Sequence, residues 1–403
     1  MSDKKNFMRI SQKSHEIIRP ETNTIDNKSN LYLATERGDI SEVERCIKEG
    51  DDINQVSINN WSPLYLASCF GFLNIVILLV ENGSELNFKN GKHEHTALIG
   101  CCQNITPSQN KIITYLVNQG ANINLVENEL YQSALYYTCE NNNIDMVIFL
   151  ITNGSNPNTF GKYNISPLFI ACQEGHMRIV RYLVEDAFPK AIIDTELTSN
   201  GMTSLLIACY RNHWDIVKYL VTKSANINKK CDHSAYISTP LHAAVVYGNE
   251  EVTQMLIENG ADVNALGPNN IGITPVYAAF DRKNWRIAKM LLDTGNVNVN
   301  LGESKTNSSL LHHVVRSENL EMIKYLLKFY ADVNHTDIQK MSTPLHDAAS
   351  AGNLEIIKLL VENSDGVDIL QENVQSQSAL DIAKAMGHMK IYDYLCRKVC
   401  ETV

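Results

Sequence analysis

One position recurs along the chain and almost always holds a small residue. It is filled by Ala34, Ala67, Cys101, Thr138, Ala171, Ala208, Ala244, Ala279, Val314, Ala348 and Ala383, at separations of 33 to 37 residues. A small residue at that interval marks a place where backbone must approach backbone once per unit. The chain has 403 residues and 44% apolar composition, and a single core rarely grows beyond ~250–300 residues. Short units that share their apolar faces satisfy both facts, so the spacing predicts a tandem array over residues 29–400, of about eleven units.

Each unit reads as two short helices. In TPLHAAVVYGN, residues 239–249, the Thr239 hydroxyl suits an N-cap and Pro240 suits the first helical turn, where an N–H would lack a partner anyway. Leu241 faces inward, Ala243 and Ala244 allow close approach, and Gly248 allows a left-handed turn. Val252, Met255, Leu256 and Ile257 then form the apolar stripe of a second helix, which ends at Gly260. The small-residue slot lies 16 residues before the helix-ending slot (Gly50, Gly83, Gly154, Gly260, Gly295) in every testable unit but the third, where NITPSQN lengthens the turn at 103–110. The connecting segments vary in length, the longest running from Ala187 to Ala208. Residues 1–28 are polar and mixed in charge, and are expected to be a disordered tail. The more polar final helix is expected to cap the array.

The recurring motifs SPLYLA (62–67), SPLFIA (166–171), TPLHAA (239–244), TPVYAA (274–279) and TPLHDA (343–348) resemble the ankyrin-repeat family. The resemblance covers more than nine-tenths of the chain. It implies an all-α ankyrin-repeat solenoid of helix–turn–helix units with projecting β-hairpin loops. It also implies a concave groove, lined by hairpins and first helices, that receives a partner protein.

The reactive-looking residues read as architecture. His242, His312 and His346 share a slot with Tyr32, Tyr65, Ile99, Tyr136, Phe169, Leu206, Tyr277 and Asp381. A general base would not survive replacement by isoleucine, so these histidines are expected to bond or pack at helix starts. Cys102, Cys139, Cys172 and Cys209 follow the unit spacing and are expected in the core, too far apart for a shared zinc or a disulfide. His93, Glu94 and His95 are expected in a solvated loop. Asparagines four residues past the helix-ending slot (Asn54, Asn87, Asn124, Asn158, Asn228, Asn264 and Asn334) are expected to tie neighbouring loops together; Ala191 replaces one of them. By the resemblance, Asn87, Asn264 and Asn334 also match substrates of a 2-oxoglutarate-dependent asparaginyl hydroxylase.

No catalytic constellation, cofactor motif or metal-ligand spacing is present, so the expectation is a non-enzymatic chain without cofactor or metal. A net charge of −10 is not the footprint of a nucleic-acid binder. No apolar run approaches the ~20 residues of a membrane span, and no secretory h-region opens the chain. The reading is a monomeric, intracellular, cytoplasmic scaffold or adaptor. The alternatives are the substrate-recognition or regulatory subunit of a ubiquitin ligase or phosphatase, or a host-targeted effector of an intracellular pathogen. Partner contacts are expected two and three residues past the small-residue slot, where residue types do not repeat. Phe70, Tyr210, Arg211, Tyr247, Arg282 and Arg316 are the chosen anchors, tyrosine and arginine being enriched in interface hot spots.

Overall fold

The computed structural model describes residues 29–103, 106–232, 236–267, 273–302, 306–363 and 366–402. The tail expected at 1–28 lies outside them. Twenty-two α-helices are described and no strand. The chain divides into two compact units, residues 1–225 and 226–403. Each is an all-α stack of helix pairs.

The first helix of each pair begins as the motif requires. The hydroxyls of Ser62, Ser166, Thr239, Thr274 and Thr343 accept the backbone N–H of Tyr65, Phe169, His242, Tyr277 and His346, and a proline sits in each of those first turns. Within each unit the first helices pack on one another, and each also packs on its own second helix. The recurring small residue sits in that seam. Every one of them, from Ala34 at 2% to Ala383 at 0%, is at most 2% exposed.

A left-handed residue joins the two helices of a pair. Gly71, Gly175, Gly248 and Gly352 take φ between 73 and 79°, and non-glycine residues take the same conformation elsewhere: Asn212 (64°), Lys283 (56°) and Glu318 (54°). The geometry belongs to the repeat and not to glycine. At Gly175 there is a second requirement, since an added Cβ would lie 2.5 Å from the His213 ring of the next pair. Glu318, which departs from the glycine pattern, accepts a bond from Asn353 Nδ2 at 3.0 Å.

At three places the structure adds to or departs from the sequence reading. The insertion at 103–110 is largely helix: Thr106 caps, Pro107 opens, and the second helix runs Pro107–Asn118. The Thr-Pro pair inside NITPSQN carries the same start signal as five of the first helices. The second helix of the fifth pair does not end at a left-handed residue. Met177–Arg181 passes into a π-helical turn, Tyr182–Asp186, and Ala187 leaves with φ −63°. The connecting loops, expected as β-hairpins, hold only isolated antiparallel bridges among the described residues, at Asn90–His95, Val126–Ser133 and Glu196–Thr203. Their order comes from one another. The N–H of Gly91, Asn128, Lys162 and Thr198 each donates to a carbonyl of the preceding loop: Asn60, His93, Leu130 and Tyr163.

These turns generate a paired stability prediction. Gly175→Ala forces a Cβ into a left-handed conformation and against His213, and should cost about 2 kcal/mol or more. Lys283→Gly relieves a left-handed side chain and should stabilise by up to ~1 kcal/mol. Chemical denaturation of both variants checks the opposite signs; a loss at Lys283→Gly would show that its side chain, not its backbone, matters.

Candidate protein-interaction surface

The first helix ends two or three residues past the small-residue slot. The anchors chosen from sequence sit there, and their surroundings differ. Phe70 is only partly exposed. Its ring packs 5.8 Å from Phe72 and against the cluster of Tyr32, Trp61, Tyr65 and Leu66. Tyr210 and Arg211 are half-buried. Arg211 caps its helix and its Nε is buried without a hydrogen-bond partner. Tyr247 is 40% exposed. Arg282 is exposed, its guanidinium 5.7 Å from the ring centre of Tyr236, itself 38% exposed.

Arg316 is engaged within the protein. Its Nε donates to Asp347 Oδ2 at 2.7 Å, its Nη1 to Ser308 Oγ at 3.2 Å, and its Nη2 lies 3.6 Å from the buried Asp337. Asp337 in turn accepts the N–H groups of Gln339 and Lys340 and closes its loop. Arg316 is therefore a loop-to-helix tie, and reversing its charge would set three acids together. Tyr210 and Arg211 belong to the first unit; Tyr247, Arg282 and Arg316 belong to the second. Each set stands on its own. Sequence reasoning missed Tyr236, because a loop residue has no slot to mark it.

The histidines at helix starts are structural, as expected. His312 Nδ1 accepts the N–H of Ser309 at 3.2 Å, which makes the ring a neutral Nε2–H tautomer, and Nε2 donates to the Ser342 carbonyl of the next pair at 2.9 Å. His346 repeats this with Thr343 and Gln377. His242 Nε2 donates to the Ile273 carbonyl at 3.0 Å, and burial lowers its pKa to about 4. His312 is lowered by burial as well. Asp381 fills the same slot, and its carboxylate caps through Ser378, whose hydroxyl and N–H hold its pKa down.

The loop asparagines form a ladder. Asn264 Nδ2 donates to the Asn296 carbonyl at 2.7 Å and its Oδ1 accepts from Asn298 N–H at 2.8 Å; Asn334 does the same with Gly366 and Asp368, at 2.7 and 2.9 Å. Asn87 Oδ1 accepts from Asn122 N–H at 2.8 Å. Asn300 is a rung that slot counting missed, bonding Tyr330 and Asp332. The sequence signal was the partner two residues earlier: Asn298 accepts the Asn300 N–H as Asp332 accepts that of Asn334.

Cys102, Cys139, Cys172 and Cys209 are buried as expected, and burial pushes the first three thiols well above the usual range. The solvated loop at 93–95 is corrected. His95 is 5% exposed, with burial lowering its pKa to about 4, and it lies 3.5 Å from Tyr65 OH and 3.4 Å from Gln103 Nε2. His93 pairs with Glu129 at 2.8 Å. The residue before a helix cap points inward, which alternation in a loop could not reveal.

Comparison with known proteins accords with this geometry. A family model described as ankyrin repeats (3 copies) matches residues 31–127, 108–194 and 187–267, and one described as ankyrin repeats (many copies) matches residues 311–361. More than half of the chain is covered, and it belongs to the ankyrin-repeat family. It is similar to alpha-latrotoxin-Lg1a of Latrodectus geometricus, 38% identical over 178 residues, which is 44% of this chain and 12% of that one. It is similar to the NAD-dependent deacetylase sir2B of Dictyostelium discoideum, 23% identical over 349 residues, 75% of this chain and 43% of that one. An ankyrin repeat and KH domain-containing protein of Caenorhabditis briggsae is 28% identical over 240 residues, 60% of this chain and 9% of that one. The chain thus spans less than half the length of each of these relatives. Its repeats support a protein–protein interaction role. Among the described residues no helix is long and apolar enough to cross a membrane.

The buried histidines predict a pH dependence. The unfolded chain protonates His242 near 6.5, while the folded chain resists down to about 4. Its stabilising contribution is therefore complete above about pH 6.5 and is lost as pH falls through that window, at up to ~1.4 kcal/mol per pH unit. Melting curves from pH 7 to 5.5 should show the decline, and His242→Leu should flatten it. An unchanged slope would mean that other groups govern acid stability.

Proposed function

We propose that the protein is a non-enzymatic scaffold or adaptor that binds a partner protein through the C-terminal ends of its first helices and the adjoining loops. The observation that carries this reading is the pair formed by exposed Arg282 and Tyr236, with exposed Tyr247 in the same unit. The repeat does not dictate these residue types, and an arginine held over a tyrosine face is a pre-ordered contact of the kind that dominates interfaces. Phe70 and, in the first unit, Tyr210 with Arg211 are secondary anchors. Arg316 contributes indirectly, by holding its loop. The absence of chemistry is supported by the histidines, whose ring nitrogens are engaged by backbone and capping hydroxyls. In this reading residues 29–400 form one array of about eleven repeats that acts as a monomer. Ten free cysteines suit a reducing, intracellular compartment.

The test is affinity capture with the full chain against Tyr247→Ala combined with Arg282→Ala. The double variant should lose most of the captured partner while its stability stays within about 0.5 kcal/mol of the parent, as surface substitutions do. Undiminished capture would overturn the assignment. Recovery of a ligase or phosphatase core would instead make the chain a subunit of that enzyme. Asn87, Asn264 and Asn334 are further proposed as hydroxylation sites. Their side-chain amides must release the ladder to enter an enzyme, and peptide mass spectrometry lacking the mass of one added oxygen atom on all three would remove the idea.

A further inference from the structure

Two loops of the first unit hold tyrosines in a backbone conformation that tyrosine resists. Two residues before the helix cap the chain turns left-handed, and asparagine or glycine suits that turn: Asn60, Asn164, Gly201 and Asn307 take φ between 54 and 72°. Tyr131 takes the same conformation at 54°, and Tyr163 takes it at 61° in the loop that follows. A Cβ disfavours this region, and a bulky ring lacks the local hydrogen bonds that ease asparagine into it. Packing does not offset the strain, since Tyr131 is 51% and Tyr163 42% exposed. Strain kept at exposed positions points to a use outside the chain. The two loops are in contact. Lys162 N–H donates to the Leu130 carbonyl at 2.6 Å, and that oxygen lies 2.9 Å from where a Cβ on Gly161 would stand. Tyr131 and Tyr163 each follow one partner of this hydrogen bond, so their backbones lie side by side while both rings meet solvent. Lys162 is exposed, its Nζ 5.6 Å from the Tyr163 ring centre. Among the described residues no carboxylate pairs with Lys162, and neither phenol hydroxyl bonds to the chain. Glu129, next to Leu130, is already paired with His93 at 2.8 Å.

We propose that Tyr131, Tyr163 and Lys162 receive an extended, proline-rich segment of a partner protein that carries an acidic residue among its prolines. A polyproline II segment has no internal hydrogen bonds, so its carbonyls are open to the Tyr131 and Tyr163 hydroxyls. Its proline rings dock on aromatic faces, and a chain that is extended beforehand loses little entropy on binding. Lys162, which no acid of the described residues engages, supplies the countercharge and disfavours a basic segment. The proposal rests on the reading that the repeats bind a partner protein. It adds a contact on the loops of the first unit, whereas the capture test above probes the second.

The experiment uses the full chain and fluorescein-labelled peptides of repeated Pro-Pro-Glu, Gly-Gly-Glu or Pro-Pro-Lys triplets, read by anisotropy at physiological ionic strength. The Pro-Pro-Glu peptide should bind about tenfold or more tighter than either of the others. Tyr131→Asn and Tyr163→Asn should each raise its Kd about tenfold or more. Both should also raise the urea midpoint, because asparagine accepts the left-handed backbone and no packed ring is lost. Lys162→Gln should raise Kd about threefold. Ile58→Ala removes an exposed apolar side chain from another loop of the first unit and should leave Kd unchanged. No binding of the Pro-Pro-Glu peptide, equal binding of the Gly-Gly-Glu peptide, tighter binding of the Pro-Pro-Lys peptide, or equal weakening by Ile58→Ala overturns the proposal. A fall in the urea midpoint of both tyrosine variants overturns it too, since the rings would then be structural. If the natural partner is still captured and still lost with Tyr247→Ala and Arg282→Ala, the interaction reading stands and only this contact fails. If the Pro-Pro-Glu peptide binds as expected while that double variant captures undiminished, the second-unit surface fails and this contact stands.

Discussion

Everything in this protein depends on how closely one first helix can lie against the next. A repeat of this length is two short helices, too few to bury their own apolar faces. The faces are buried only by sharing, and sharing needs a seam without bulk. The small-residue slot provides it: alanine, cysteine, threonine and valine occupy it, and none is more than 2% exposed. That one requirement sets the register of each helix pair and leaves the ends of the first helices free to vary.

Close apolar packing is non-directional, so it cannot by itself fix the loops. Directional bonds do that. The asparagine ladder and the capping histidines each reach from one repeat to a backbone group of the next, about 30 residues along. Both act on backbone N–H and C=O groups that would otherwise lose partners at the edge of a helix pair. Ala191 breaks the ladder in the repeat whose second helix ends in a π-turn.

The candidate surfaces follow from what the repeat leaves unspecified. Arg316 and Arg282 looked alike as letters, two past and three past successive slots. One is held by Asp347 and Asp337 across loop and helix, and the other lies over Tyr236 in solvent.

The sequence by itself determined the all-helical repeat, its period, its caps and its left-handed turns. Each of these is a local requirement, met within a few residues of the letter that meets it: Thr239 caps His242, Pro240 opens the helix, Gly248 turns it. It also marked the histidines and most ladder asparagines as structural, because repetition distinguishes a structural slot from a reactive one. Only the tertiary structure decided which of the variable residues are engaged within the protein. It placed Asp337 beside Arg316 and buried His95. The physical reason is that charge pairing and burial join residues from neighbouring repeats through variable loops, whose lengths and conformations no slot dictates.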